Sequence, residues 1–191
     1  MRHNNIRDFE ANLLKKVCND VEVEPPLQPI NGETFTSQVA RGDESRLDIR
    51  ARGFFRHAQS NYFDIRVTNT NAPSQIDKSI ATIFKSHEKE KKRKYNERVM
   101  NVEHGTFTPL VFSINGGEGP ECTTFHKLLA DKLSLKTGDR YEKVLTWIRC
   151  KISFLIIRSA LLCLRGSGSI FSDKQVDVVD YFTIACDELK L

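Results

Sequence analysis

Two short segments with the same alternating pattern constrain this chain most. Arg46-Leu47-Asp48-Ile49-Arg50-Ala51-Arg52 and Tyr62-Phe63-Asp64-Ile65-Arg66-Val67-Thr68 each carry an apolar side chain at every second position. Successive side chains on a strand point to opposite faces, so this period of two predicts two half-buried β-strands. Residues 53–61 make a connection of hairpin length between them. Leu47, Ile49 and Ala51 oppose Arg46, Asp48 and Arg50, and Phe63, Ile65 and Val67 oppose Asp64 and Arg66. If the two apolar faces share a core, Asp48 and Asp64 emerge together on the other face, on paired strands.

The other elements follow from period and punctuation. Ile6, Phe9, Leu13, Leu14 and Val17 recur at helical spacing, which predicts a helix over about 5–18. Residues 21–24 alternate and are stopped by Pro25-Pro26, reading as a short strand. Residues 25–42 read as a loop, as do residues 69–75. A charged helix is expected over about 77–99, a β-rich run over 106–114, and a helix opened by Gly119-Pro120. A last helix is expected over about 139–164, ending near Gly166. The order α-β-β-β-α-β-α-α predicts an α/β (α+β) domain, with a mixed sheet of about four strands flanked by helices. We place that domain at residues 1–166 and a divergent acidic tail, with Asp173, Asp177, Asp180, Asp187 and Glu188, at 167–191.

Composition narrows the class. A chain of 191 residues is long enough to bury a sizeable core. Its formal net charge of +4 is too small to imply a nucleic-acid partner by itself. The distribution is more telling: Lys85, Lys89, Lys91, Lys92, Arg93, Lys94 and Arg98 crowd one helix against Glu88, Glu90 and Glu97. The five cysteines form no CxxC pair, which argues against structural zinc and a disulfide framework and favours the nucleus or cytoplasm. The longest apolar run, 152–164, is interrupted by Arg158 and is too short for a bilayer, so no membrane role is expected. The histidines lack ligand spacing and read as structural or surface residues.

Phosphodiester hydrolysis needs a cation that activates water and neutralises developing charge. Magnesium prefers carboxylates and keeps several of its waters. Two aspartates on adjacent strands suit it, and a nearby lysine can orient water and steady the transition state. Lys91 and Tyr95, four apart, share a helix face with Lys92 beside them and Lys94 at its border. A lone strand aspartate is ordinarily a salt-bridged surface residue, and Arg46, Arg50 and Arg66 are available partners. A helical lysine run is ordinarily a solvated face.

In this order and spacing the motifs resemble the PD-(D/E)xK nuclease superfamily. The nearer likeness is to the restriction-like endonuclease domain of non-LTR retrotransposon reverse transcriptase polyproteins. The carrying pieces are Arg2-His3-Asn4 with Ile6-Arg7, Val21-Glu22-Val23-Glu24-Pro25, Leu47-Asp48-Ile49, Phe63-Asp64-Ile65-Arg66-Val67 and Lys91 through Tyr95. The run 107–113 and the helix from Trp147 to Gly166 are similar to the end of such polyproteins. The resemblance covers about residues 2–166.

The resemblance implies a restriction-endonuclease-like core that nicks target DNA so that a 3′ hydroxyl can prime reverse transcription. It implies Mg2+ (or Mn2+) held by Asp48 and Asp64, with Asp8 or Glu10 supplying an acid from the first helix. Lys91 matches the polar residue of the helix motif, with Tyr95 as its partner. Leu47 replaces the family's proline, and Arg66 stands at the usual lysine position. Arginine stays protonated and can bind phosphate but cannot act as a base. The lysine role then falls to Lys91, Lys92 or Lys94. DNA, with element RNA as a further partner, is expected along Lys89, Lys91, Lys92, Arg93, Lys94, Tyr95 and Arg98. The resemblance also implies an original fusion to a reverse transcriptase and a zinc-binding segment. The other expectation is an inactive nuclease-like module that binds nucleic acid, or a decaying retroelement fragment serving as an interaction scaffold.

Overall fold

The computed structural model describes residues 2–27 and 46–164. Most of the loop expected over 25–42, and the whole tail expected over 167–191, lie outside the described residues. The elements are α1 (Arg2–Val17), β1 (Asn19–Val23), β2 (Ile49–Arg52), β3 (Ser60–Thr68), α2 (Ile80–Asn101), β4 (Thr106–Ser113), α3 (Pro120–Thr137) and α4 (Tyr141–Leu164), with a short 3-10 turn at Pro73–Gln75 before α2. Among the described residues this is the expected order, in an α+β fold with four helices and a mixed four-stranded sheet. Met1–Ala160 forms one compact unit.

The strands lie in the order β1-β2-β3-β4. The first two pairings are antiparallel, with Ile49 opposite Phe63 in the β2–β3 pair. β3 and β4 run parallel, from Asn61 beside Thr106 to Thr68 beside Ser113. A parallel partner needs a long crossover, and α2 supplies it. Ser79 caps α2 by accepting a hydrogen bond from the Thr82 N–H at 3.1 Å. Pro120 opens α3, and Gly138, at φ +78°, ends it in the left-handed conformation that glycine adopts freely.

One sheet face carries the main core. Ile49, Ala51, Phe63, Ile65, Leu110 and Phe112 meet Ile6, Leu13 and Leu14 of α1, Phe125 and Leu129 of α3, and Ile148, Ile152 and Ile156 of α4. Phe54, Phe63 and Phe125 form an aromatic triangle with centroids 4.9 to 5.6 Å apart. Truncating one of these rings to alanine costs about 3–5 kcal/mol.

The other face is not simply a polar surface. α2 covers part of it, and Tyr62, Tyr95, Val99 and Phe107 build a second, smaller core there with Leu27 and Leu47. Leu47 departs from the expected phase: it joins this second core, not the face of Ile49 and Ala51. The regular strand begins only at Ile49, and the chain bends at Asp48, which breaks the alternation.

Candidate active-site cleft

Backbone pairing at the bend brings the two aspartates together. The Asp48 N–H donates to the Phe63 carbonyl at 3.1 Å, and the Glu24 N–H donates to the Asp48 carbonyl at 2.8 Å. Carrying the Ile49–Phe63 register one step back sets Asp48 opposite Asp64, and carrying the Val23–Ile49 register one step on sets Glu24 opposite Asp48. The Ile65 N–H donates to Asp48 Oδ2 at 2.5 Å, which fixes the carboxylate against β3.

Helices α1 and α2 complete the site. Lys91 Nζ lies 2.8 Å from Asp64 Oδ2. His3 Nε2 lies 3.0 Å from Asp48 Oδ2 and 3.1 Å from the Ile65 carbonyl oxygen. A cleft of about 530 Å³ is lined by His3, Asn4, Glu24, Arg46, Leu47, Asp48, Asp64, Ile65, Lys91 and Tyr95. Glu24 closes β1 at φ +53°, a conformation uncommon for a residue with a Cβ. Its carboxylate is held by Arg7, with Arg46 3.6 Å away.

The expected strand arginines are not the partners of the aspartates. Arg46, Arg50 and Arg52 pair with Glu24, Glu22 and Asp20 along the β1 edge, and Arg66 pairs with Glu90 at 2.8 Å. The ordinary explanation for a strand aspartate, a neighbouring strand arginine, fails for both acids.

The electrostatics differ between the two acids. Burial pushes the Asp64 carboxyl up to about 6; the Lys91 ammonium opposes this, and the Asp48 charge adds to it. Asp64 therefore titrates close to neutrality. Hydrogen bonding to Asp48 raises the His3 pKa above its ordinary value, against the effect of burial. Asp64 Oδ2 is buried, and Lys91 is its ion-pair partner, yet it lacks a well-oriented hydrogen bond. A buried oxygen in that condition, in an open cleft, is chemically available to an added donor or cation.

Among the described residues, no group of three or more His, Cys, Asp or Glu side chains has the geometry of a metal cage. The donor set is two carboxylates, with the Ile65 carbonyl also turned toward Asp48 and His3. That set fits an oxygen-preferring ion that keeps most of its water, as magnesium does, and does not fit a closed structural site.

Several expected site residues lie elsewhere. Asp8 is exposed and pairs with Arg7. Glu10 is fully buried against His126, whose Nε2 is 2.8 Å from Glu10 Oε1. Neither lines the cleft: Asp8 faces solvent, and Glu10, on the same face of α1 as His3 but two turns further along, meets His126 in the core. Arg66 is one strand repeat beyond Asp64 and is drawn to Glu90 on α2. Lys92 donates to Glu121 at 2.6 Å. Lys94 lies over the Tyr95 ring, 5.0 Å from its centroid, and Tyr95 itself lines the cleft. Lys85, Lys89, Arg93 and Lys94 are exposed, and Arg98 is half-buried. Of the three candidate lysines, Lys91 reaches an aspartate.

His3, Glu24 and Arg46 line the cleft without being expected there from the sequence. His3 is 45 positions from Asp48, and no spacing rule connects them. Glu24 was the one with a signal, since it ends an alternating strand beside the Asp48 segment. No protein-family model matches the chain, and no curated protein matches it.

Proposed function

We propose that this chain is a metal-dependent DNA endonuclease domain with a restriction-endonuclease-like core, of the kind that nicks target DNA to prime reverse transcription in a retroelement. The observation that carries the reading is the convergence of Asp48, Asp64 and Lys91 in one cleft over the central strands, where the chain entering β2 meets β3.

Asp48 and Asp64 would hold the magnesium or manganese ion. The ion, when bound, supplies Lewis-acid polarisation and a more acidic water. Lys91 places a positive charge at the buried Asp64 oxygen, where it can orient the nucleophile and offset charge developing on the phosphorus oxygens. Arg66 takes no part in the cleft and serves the α2–β3 contact through Glu90. The exposed Lys85, Lys89, Arg93 and Lys94 offer a basic surface for phosphate contacts.

The direct test is nicking of supercoiled plasmid by the purified chain in Mg2+ or Mn2+. Nicking is expected to fall by roughly two orders of magnitude or more in Asp48→Ala and in Asp64→Ala, the scale of losing a preorganised electrostatic contact. Activity retained in both variants would sink the assignment.

A second reading, a nucleic-acid-binding module without catalysis, is favoured by one observation. Each of the two aspartates already has an internal partner, the His3 ring for Asp48 and the Lys91 ammonium for Asp64. It predicts salt-dependent binding without metal-dependent cleavage, with a log-affinity slope that shrinks when Lys85, Lys89 and Arg93 are neutralised. Absence of binding at low salt would remove it.

A further inference from the structure

The position of His3 has a consequence for how the cleft takes up a cation. The ring stands on the first turn of α1, and its Nε2 is 3.0 Å from Asp48 Oδ2 and 3.1 Å from the Ile65 carbonyl. Both neighbours are acceptors, so this nitrogen must carry the hydrogen and donate to both oxygens. Asp48 Oδ2 also accepts from the Ile65 N–H, so the His3 ring and the Ile65 amide both donate to that oxygen. The point where a carboxylate oxygen and a carbonyl oxygen converge is thus filled by a positively polarised N–H.

A hard divalent cation seeks the same kind of point. Magnesium binds such oxygens at about 2.0–2.1 Å, closer than any N–H···O contact. One point cannot hold both the imidazole N–H and the ion. The His3 side chain is 42% exposed, and residue 3 lies at the start of its helix, so the ring can turn to solvent without opening the core.

We propose that His3 is a built-in placeholder for the divalent cation, holding Asp48 in position without metal and competing with metal for the Asp48 carboxylate and the Ile65 carbonyl. This inference rests on reading the cleft as a metal site. Displacement of the ring then accompanies metal entry, and until then the ring N–H offsets part of the repulsion between Asp48 and Asp64. His3 is a positioning residue here, since it acts through Asp48.

The test is Mn2+ binding to the full chain, followed by calorimetry or by the paramagnetic signal of free Mn2+. Replacing His3 by alanine is expected to tighten Mn2+ binding by about fivefold, the scale of one partly exposed ion pair removed from the competition. Asp48→Asn should weaken it at least tenfold. Unchanged or weaker binding in His3→Ala, alongside clear binding by the unaltered chain, overturns the placeholder role and leaves the metal site standing. Absence of Mn2+ binding in both proteins overturns the placeholder together with the metal reading. A second readout needs no variant: titrating Mg2+ into the chain should move the His3 ring nitrogen resonances toward those of a solvent-exposed imidazole. Resonances that stay unmoved while Mg2+ binds would also overturn the proposal.

Discussion

Two of the histidine–carboxylate groups among the described residues are built in opposite ways. In the cleft, His3 and Asp48 meet at an open edge, with side chains 42% and 14% exposed. Inside the core, His126 of α3 lies between Glu10 of α1, 2.8 Å from its Nε2, and Glu118, 3.0 Å from its Nδ1, with His126 and Glu10 fully buried and the Glu118 side chain 8% exposed. Arg149 of α4 reaches the second oxygen of Glu118 at 3.5 Å. The His126 pKa is held well above its ordinary value; burial pulls it down, and the surrounding negative charge outweighs that. Cys122 is 3.8 Å away, but burial pushes its thiol up to about 11, so at neutral pH the two glutamates supply that charge. The same chemistry ties three helices together in one place and makes a solvent-accessible contact in the other. Burial decides which, because a sealed charge cannot exchange its partner for water or for a ligand.

The largest expected effect comes from breaking the sealed group. His126→Ala leaves the buried Glu10 without its cation and Glu118 with Arg149 alone, and about 3–5 kcal/mol of stability should be lost in urea unfolding at pH 7. His3→Ala should change stability by less than about 1 kcal/mol. Equal losses in the two variants would erase the distinction between the groups. The sealed histidine also predicts a pH trend. Its folded pKa is raised, so its stabilisation is complete below the unfolded value near 6.5 and is lost as pH climbs through the higher folded value.

A smaller effect, opposite in sign, is expected at Asp64. Its folded pKa is raised from 3.8 to about 6, so the buried charge destabilises the fold above that range. The stability linked to Asp64 is full below about pH 4 and declines as pH rises through 6. Asp64→Asn should therefore stabilise the protein by about 1–3 kcal/mol at pH 8, less whatever Lys91 loses with its partner, and the gain should disappear near pH 4. Thermal unfolding at the two pH values reads this directly, and a gain that does not vary with pH would contradict the burial account. Smallest is Arg66→Gln, which removes a partly exposed ion pair with Glu90 and should cost no more than about 0.5 kcal/mol by urea unfolding.

The two regions also differ in how far the chain itself announces them. The strand pair is written locally: alternation over 46–52 and 62–68, with a short connection, predicts two paired strands, with both aspartates on one side if the apolar faces share a core. The helix phase narrows the lysines, because positions 87, 91, 95 and 99 fall on the face turned to β3 and β4, whereas 89 and 93 fall outside it. The choice among Lys91, Lys92 and Lys94 waits on where that face meets the sheet. His3, Glu10 and His126 were not legible in this way. Each depends on α1 docking against residues 45 to 116 positions away, and no local period encodes such a contact. The Leu47 error has a local cause that alternation alone does not display, a bend at Asp48 that shifts the phase by one.

The central claim is that the lysine of the cleft comes from α2 and not from the strand position held by Arg66. It is tested most directly by comparing plasmid nicking rates of Lys91→Gln and Arg66→Gln in Mg2+. The account predicts a loss of roughly a hundredfold or more for Lys91→Gln and a change within a few-fold for Arg66→Gln. Nicking that survives Lys91→Gln but disappears in Arg66→Gln would contradict it.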